Sequence, residues 1–524
     1  MNIHKIKEKL AGLRPSEAIT ILGVILLLVV FPLFTWDMYY DILYAKYKFF
    51  WITGLAMAGG ALLSALIENR KIPIRERLAA AKPERLDGAE RAVLIFLMAC
   101  GLSTLLSDYR YESMWGNEGR LCGLFFLIVC VLMYFTVERR MKFRSWLVDL
   151  FLISAMAVCL WGIADFFRMD PFHFKVDLSD SDRNSFTSSL GNINTYTAFV
   201  ALACAITATL FLEARSVKAN LWYGACMIVS FFAIITGQSD NAYLSMGAQF
   251  AFLPYYGFRT GRRTARYFAV LAIFATVMEA TAWVCETFSG KVIGLSGLFR
   301  VVTERNIVLP AAVILWVIAL GSALLIKVRE ESWREKVAKK LLAIWTGLIA
   351  LAAAAVIYIL YKVNTAPDPS VYGSLTRYLL LNDDWGTNRL YAWRIGWENY
   401  LNFSPIHKIF GYGPETYGIL TVHNNLRDMV DRYNVKYDNA HNEYIQYFFT
   451  IGPVGLMAYL SALFFSIRQI AKKAAHNPYA VGLAMAVICY CTQAAVNIAT
   501  PLVFPFVWLF LAMGLSAGRK NAKM

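Results

Sequence analysis

The 524-residue chain is 58% hydrophobic and only 17% charged. That composition excludes an ordinary soluble globular protein, and the repeated apolar runs of about twenty residues read as membrane-spanning helices. A formal net charge of +15 would suit a nucleic-acid binder, but the cations fall in alternate short loops and leave no basic nucleic-acid face once the spans are drawn.

The chain begins with Lys5, Lys7, Lys9 and Arg14 and enters an apolar run over 16–36. The run is too long for the apolar region of a cleavable leader and lacks a small-residue cleavage site, so it is expected to persist as the first helix. Further spans are expected near 48–67, 90–107, 121–137, 146–167, 195–213, 220–236, 241–258, 266–286, 308–326, 340–361, 442–467, 478–497 and 501–517. Asn241, Ser245 and Gln249 weaken the eighth of these. The fold class is therefore an all-α polytopic membrane protein of about fourteen helices. Its expected parts are a membrane domain over 1–361, a polar loop domain over 362–441 between the eleventh and twelfth spans, and a second membrane part over 442–524.

Most of the 51 Lys and Arg fall on one side, in Arg70–Arg91, Arg139–Lys142, Arg259–Arg266, Lys327–Lys340 and Lys472–Lys473. By the positive-inside rule that side and both termini are cytoplasmic, which makes the large loop extracellular. The nine cysteines lie in or at the ends of apolar segments, with neither disulfide nor metal-ligand spacing, and read as small core residues. No cofactor and no metal ligand set is expected.

Hydrocarbon offers no hydrogen-bond partners, so an eighty-residue stretch rich in Trp, Tyr, Asn, Asp and Arg lies outside it and is expected to fold. Within it, 389–401 is predicted to be a helix with Arg389, Trp393 and Trp397 on one face and Arg394 nearby. Such an aromatic and basic face suits a phosphate or a sugar, and equally an interfacial helix resting at the headgroups. Gly411-Tyr412-Gly413-Pro414 predicts a tight turn. In Asp438-Asn439-Ala440-His441-Asn442-Glu443-Tyr444, Asp438 or Asn439 is the expected N-cap of the next helix. His441 would then stand in its first turn, either as an acid–base group near neutral pH or as an imidazole satisfied by a neighbouring carboxylate.

Three more polar sites share this side. Asn192 and Asn194 precede the sixth span, Ser239-Asp240-Asn241 joins the seventh and eighth, and Arg120 ends a short loop. Polar groups at a membrane edge are often functional, while helix capping and snorkelling are the competing readings for each taken singly.

Taken in order, Gly119-Arg120-x-x-Gly123, Leu190-Gly191-Asn192-x-Asn194, Thr236-Gly237-x-Ser239, Arg389 with Trp393, Gly411-Tyr412-Gly413-Pro414 and His441-Asn442-Glu443-Tyr444 resemble the O-antigen ligase and O-antigen polymerase superfamily, in its Gram-positive form. The resemblance implies an architecture similar to the GT-C-type membrane glycosyltransferases. It implies a lipid-carrier-dependent glycosyltransferase of cell-surface polysaccharide assembly in the cytoplasmic membrane. The donor would be a glycan on undecaprenyl pyrophosphate, the acceptor a hydroxyl on a glycan or another molecule. It further implies that Arg389, with Arg394 as a second candidate, binds pyrophosphate and that His441 is catalytic, with Glu443 and Asp438 as alternative bases. Arg120, Asn192, Asn194, Asp240 and Asn442 complete the expected substrate-binding set. The family's Ser-Arg-Gly pattern appears here as Ser239-Asp240-Asn241, an acid where an arginine is expected; Arg120, Arg300 or Arg305 would supply the charge instead. The alternative is a flippase for a lipid-linked oligosaccharide, which should show corresponding halves and charged residues near the midplane. A third reading is a scaffold whose loop binds a partner protein.

Overall fold

The computed structural model describes residues 13–70, 86–117, 119–179, 182–328 and 331–519, without the side chains of 326–328, 331–335, 374 and 375. Lys5, Lys7, Lys9 and most of the basic stretch 70–91 lie outside the described residues. Apart from loops and a two-strand ribbon pairing Phe186–Thr187 with Gly191–Asn192, the structure is helical.

Among the described residues eleven helices are long and apolar enough to cross a membrane: Pro15–Leu33, Ile42–Glu68, Gly88–Leu106, Ser145–Phe166, Ile193–Glu213, Val217–Thr236, Gly261–Thr287, Val308–Leu325, Lys336–Thr365, Gly452–Lys473 and Pro478–Val496. Three expected spans are shorter. Leu124–Arg140 and Phe504–Gly518 pack against each other in the bundle, and 241–258 becomes Asn241–Phe252 followed by the single turn Pro254–Gly257. Ile193–Glu213 forms the centre, buried almost along its whole length, because Ala198, Ala201, Ala203, Ala205 and Ala208 let neighbouring backbones approach closely.

The first and last helices end on one face. There Ser16 bonds Glu68, Glu17 pairs with Arg144 at 3.1 Å, Asp87 with Lys473 at 3.7 Å, and Glu138 with Arg519 at 2.6 Å. Inside the bundle, Lys46 is 0% exposed and its Nζ donates to the carbonyls of Phe31 and Pro32 at 2.8 and 2.9 Å. Those carbonyls follow a π-helical turn over Leu26–Val30, and Ser189 Oγ also donates to Pro32 at 2.7 Å. A buried ammonium is tolerable where such acceptors replace its water.

The expected span 442–467 is two helices, Glu443–Thr450 and Gly452–Lys473. Gly452 takes φ +70°, a left-handed conformation that a side chain resists, and the chain turns there. The Gly411-Tyr412-Gly413 turn fits into this break, where the Gly413 N–H and Ser103 Oγ both donate to the Thr450 carbonyl, at 2.7 and 3.2 Å. A Cβ on Gly411 would stand against that carbonyl, and one on Gly452 against the carbonyl of Ile409. The break is thus two glycines meeting backbone to backbone.

Candidate active site at the loop-bearing end

Between Thr365 and Glu443 the chain forms three principal helices, Trp385–Leu401, Pro405–Phe410 and Tyr417–Tyr433. Gly386, Thr387 and Asn388 all have positive φ, so the regular helix starts at Arg389. Its Trp393 Nε1–H donates to the Ala440 carbonyl at 2.7 Å, and Tyr417 donates to Ala392 at 2.5 Å. Tyr437 accepts from Asn388 at 2.7 Å. These bonds tie the segment 437–441 to the helix that begins with Arg389.

His441 does not stand in the first turn of a helix, as expected, but just before the cap. Asn442 is the N-cap, accepting from the N–H groups of Tyr444 and Ile445 at 3.0 Å each, and His441 takes φ +44°. Asn439 Oδ1 instead accepts the His441 N–H at 2.9 Å. His441 lies within electrostatic reach of Arg389 and Arg120. Burial pushes its pKa down to about 4, the charges of Arg389 and Arg120 add to this, and Asp438 opposes it. His441 is therefore a neutral imidazole at pH 7.

Two guanidinium groups from distant parts of the chain thus act electrostatically on one histidine. Arg120 lies in the turn between the short helix Arg110–Trp115 and Leu124–Arg140, and its Nη2 is 3.7 Å from Asp438 Oδ1. Arg389 Nη1 donates to the Gly386 carbonyl at 2.8 Å. Burial pulls the Arg389 pKa down, and the Asp240 carboxylate opposes that. The Nε atoms of both arginines are buried without a partner, and the same holds for the side-chain amides of Asn117 and Asn241 and for Glu415 Oε2. Buried donors and acceptors are nearly always satisfied, so the unpaired Nε atoms of the two arginines that act on His441 are positions a ligand could satisfy.

Glu415 is the member that sequence reasoning missed. It is 7% exposed at φ +64°, inside the glycine turn, and burial pushes its carboxyl up to about 7, with Arg120 opposing and Asp438 adding. Its signal in the sequence was only an acid following Gly-Tyr-Gly-Pro.

Other expected residues have different partners. Arg394 is bidentate to Asp383 at 3.0 and 2.8 Å and bonds Glu398 at 2.6 Å, so its fork is already filled, and it sits in an ion network with Arg432 and Asp428. Glu443 is 1% exposed and accepts from Tyr459, and from Tyr490 at 2.7 Å, which points it into the bundle rather than toward His441. Asn192 caps Ile193–Glu213 by accepting from the Asn194 N–H at 2.8 Å. Asn194 accepts from Ser239 Oγ at 2.7 Å and so holds the Asp240 turn, while its carbonyl accepts from Asn497 at 3.4 Å. Arg300 is exposed and pairs with Glu304 at 2.7 Å.

Residues 225–460 match the O-antigen ligase family. The match spans less than half of the chain. It supports a membrane glycan-assembly function of the O-antigen ligase and polymerase type. No curated protein matches the chain. The matched stretch holds Asp240, Arg389, Glu415 and His441, whereas Arg120, Asn192 and Asn194 precede it and are brought to it by the fold.

Proposed function

We propose that the chain transfers a glycan from undecaprenyl pyrophosphate to an acceptor hydroxyl at the outer face of the cytoplasmic membrane, with the cluster around His441 as its active site. The observation that carries this reading is the pair of half-buried arginines, Arg120 and Arg389, each with a buried and unpaired Nε, within electrostatic reach of a neutral imidazole. Guanidinium matches phosphate geometry, so the two arginines bind the pyrophosphate and stabilise the charge that grows on it.

The acceptor oxygen bonds to the anomeric carbon, the bond from that carbon to the phosphate oxygen breaks, and the acceptor's proton passes to His441. The undecaprenyl pyrophosphate leaves as the anion. At neutral pH His441 is unprotonated and so available to that proton, as a weaker base than a free imidazole. The Asp240 carboxylate favours the charged form of Arg389, and Asn194 fixes the Asp240 turn through Ser239.

The test is transfer by the purified protein in lipid, with an undecaprenyl-pyrophosphate glycan as donor. His441→Ala should cost about 10²- to 10⁴-fold in kcat, the usual effect of losing a positioned base. Arg389→Ala should cost about 10²- to 10³-fold, as for loss of a donor to a developing anion. Movement of unaltered donor across the bilayer, unaffected by either change, would show a flippase instead.

A further inference from the structure

The long helix Glu331–Thr365 is tied to the rest of the chain at two points and free between them. Near its inner end the Trp345 Nε1–H donates to the Ala251 carbonyl at 3.1 Å, the Trp345 ring meets Phe258 and Tyr267 edge-on, and the Thr346 and Tyr255 hydroxyls bond at 3.2 Å. Near its outer end Val363 is fully buried, Asn364 Nδ2 donates to the Leu379 carbonyl at 2.9 Å, and Asn364 Oδ1 accepts the Leu381 N–H at 2.8 Å. Between these ties all ten residues of Ala350–Ile359 are exposed, on every side of the helix. At the rise of an α-helix that free stretch is about 15 Å long, about half the hydrocarbon thickness. Apart from the Tyr358 hydroxyl, its side chains are wholly apolar.

The bundle helix that meets its inner end is Asn241–Phe252, continued by Pro254–Gly257. Leu244, Gly247, Ala251 and Tyr255 recur at i, i+3, i+7 and i+11 and share one face. Ala251 and Tyr255, the inner two, bond the long helix, whereas Leu244 and Gly247, the outer two, are exposed. A Cβ on Gly247 would meet nothing within 4 Å. The two helices therefore part from Gly247 outward and leave an apolar gap. Its outer end is crossed by Thr376–Leu379, tied to Asn364 on one side and with Tyr378 within electrostatic reach of Asp240 on the other. Asp240 acts in turn on Arg389. Lys362 Nζ, 5.8 Å from the centre of the Tyr358 ring, sets a cation and an aromatic at this level, as at a headgroup boundary.

An apolar chain carrying a pyrophosphate fits this arrangement, the chain in the gap and its head at the Asp240–Arg389 end without leaving the membrane surface. Bilayer lipid covers the outside of the long helix; continuity with the candidate active site selects the occupant of the inside. We infer that the gap between Ala350–Ile359 and the Leu244–Gly247 face holds part of the donor's polyprenyl tail. This rests on the glycan-transfer reading above and adds to it the place where the carrier lies.

The experiment puts a photoreactive benzoylphenylalanine at Leu244, or at the exposed Leu62 of Ile42–Glu68 as control, in the full chain in nanodiscs of phosphatidylglycerol with undecaprenyl pyrophosphate. On irradiation Leu244 should capture undecaprenyl pyrophosphate at least about tenfold above its share of the lipid, and Leu62 only in proportion. Gly247→Trp, which fills the gap from a position with room for the ring, should raise KM for an undecaprenyl-linked donor at least about tenfold with little change in kcat, and should not raise it for a geranyl-linked one. Capture at Leu244 in mere proportion to the lipid mixture, a cross-link there to a second copy of the chain, or a native KM in Gly247→Trp would overturn the inference. Enriched capture at Leu244 without any transfer by the native chain would leave the gap standing and sink the transferase reading; transfer without enrichment would do the reverse.

Discussion

Glu415 and His441 share the influence of Arg120, and their opposite shifts set the expected pH response. His441 is neutral above about 4, so loss of the base should not limit the reaction at ordinary pH. Glu415 is neutral below about 7 and becomes an anion above it, beside Arg120. That anion competes with the pyrophosphate for the same guanidinium, so donor KM should rise and kcat/KM fall as pH climbs through about 7, with kcat/KM flat from about pH 5 to 6. Glu415→Gln should abolish the rise in KM above neutrality. A KM independent of pH in the native enzyme, or an unchanged profile in Glu415→Gln, would place that carboxyl outside donor binding. In the sequence, Arg389 and His441 stand out as candidates because their types and order carry chemistry. The filled fork of Arg394 and the tyrosine-held Glu443 were not readable, since Asp383 is eleven residues from the first and Tyr490 forty-seven from the second.

At the scale of the elements, the decisive feature is the break between Glu443–Thr450 and Gly452–Lys473. Hydropathy sees one apolar run there, because the turn places no charge in it and relies on a single left-handed glycine. The break matters because it holds the Gly411–Gly413 turn and, through it, Glu415. Gly452→Ala should cost at least about 1–2 kcal/mol from the left-handed backbone alone, with more from the carbonyl of Ile409 that its Cβ would meet. Thermal unfolding in detergent should show the loss, and limited proteolysis should cut the loop 402–416 faster than in the native chain. Gly247 supplies the control: nothing lies within 4 Å of a Cβ there, so Gly247→Ala should leave both readouts unchanged.

For the whole molecule, the alternation of apolar runs was enough to read an all-α bundle, since each run must bury its own backbone bonds in lipid. What periodicity does not carry is which helices are central. Ile193–Glu213 is enclosed, whereas none of the apolar window of Lys336–Thr365 is buried within the chain, and lipid is left to cover it. The two faces of the bundle are chemically distinct: Glu17, Glu138, Arg144, Lys473 and Arg519 gather on one, and Arg120, Arg389 and His441 on the other. From the positive-inside rule we propose that the first face is cytoplasmic. Cysteines placed at Lys436 and Lys472, both exposed, test that orientation. The nine native cysteines are mostly buried and supply the background measured in the unmodified chain. In intact cells a membrane-impermeant maleimide should label Lys436→Cys and spare Lys472→Cys, which should react only after the membrane is permeabilised. The reverse pattern would put the histidine cluster on the cytoplasmic side, where a donor already carried across the membrane could not reach it.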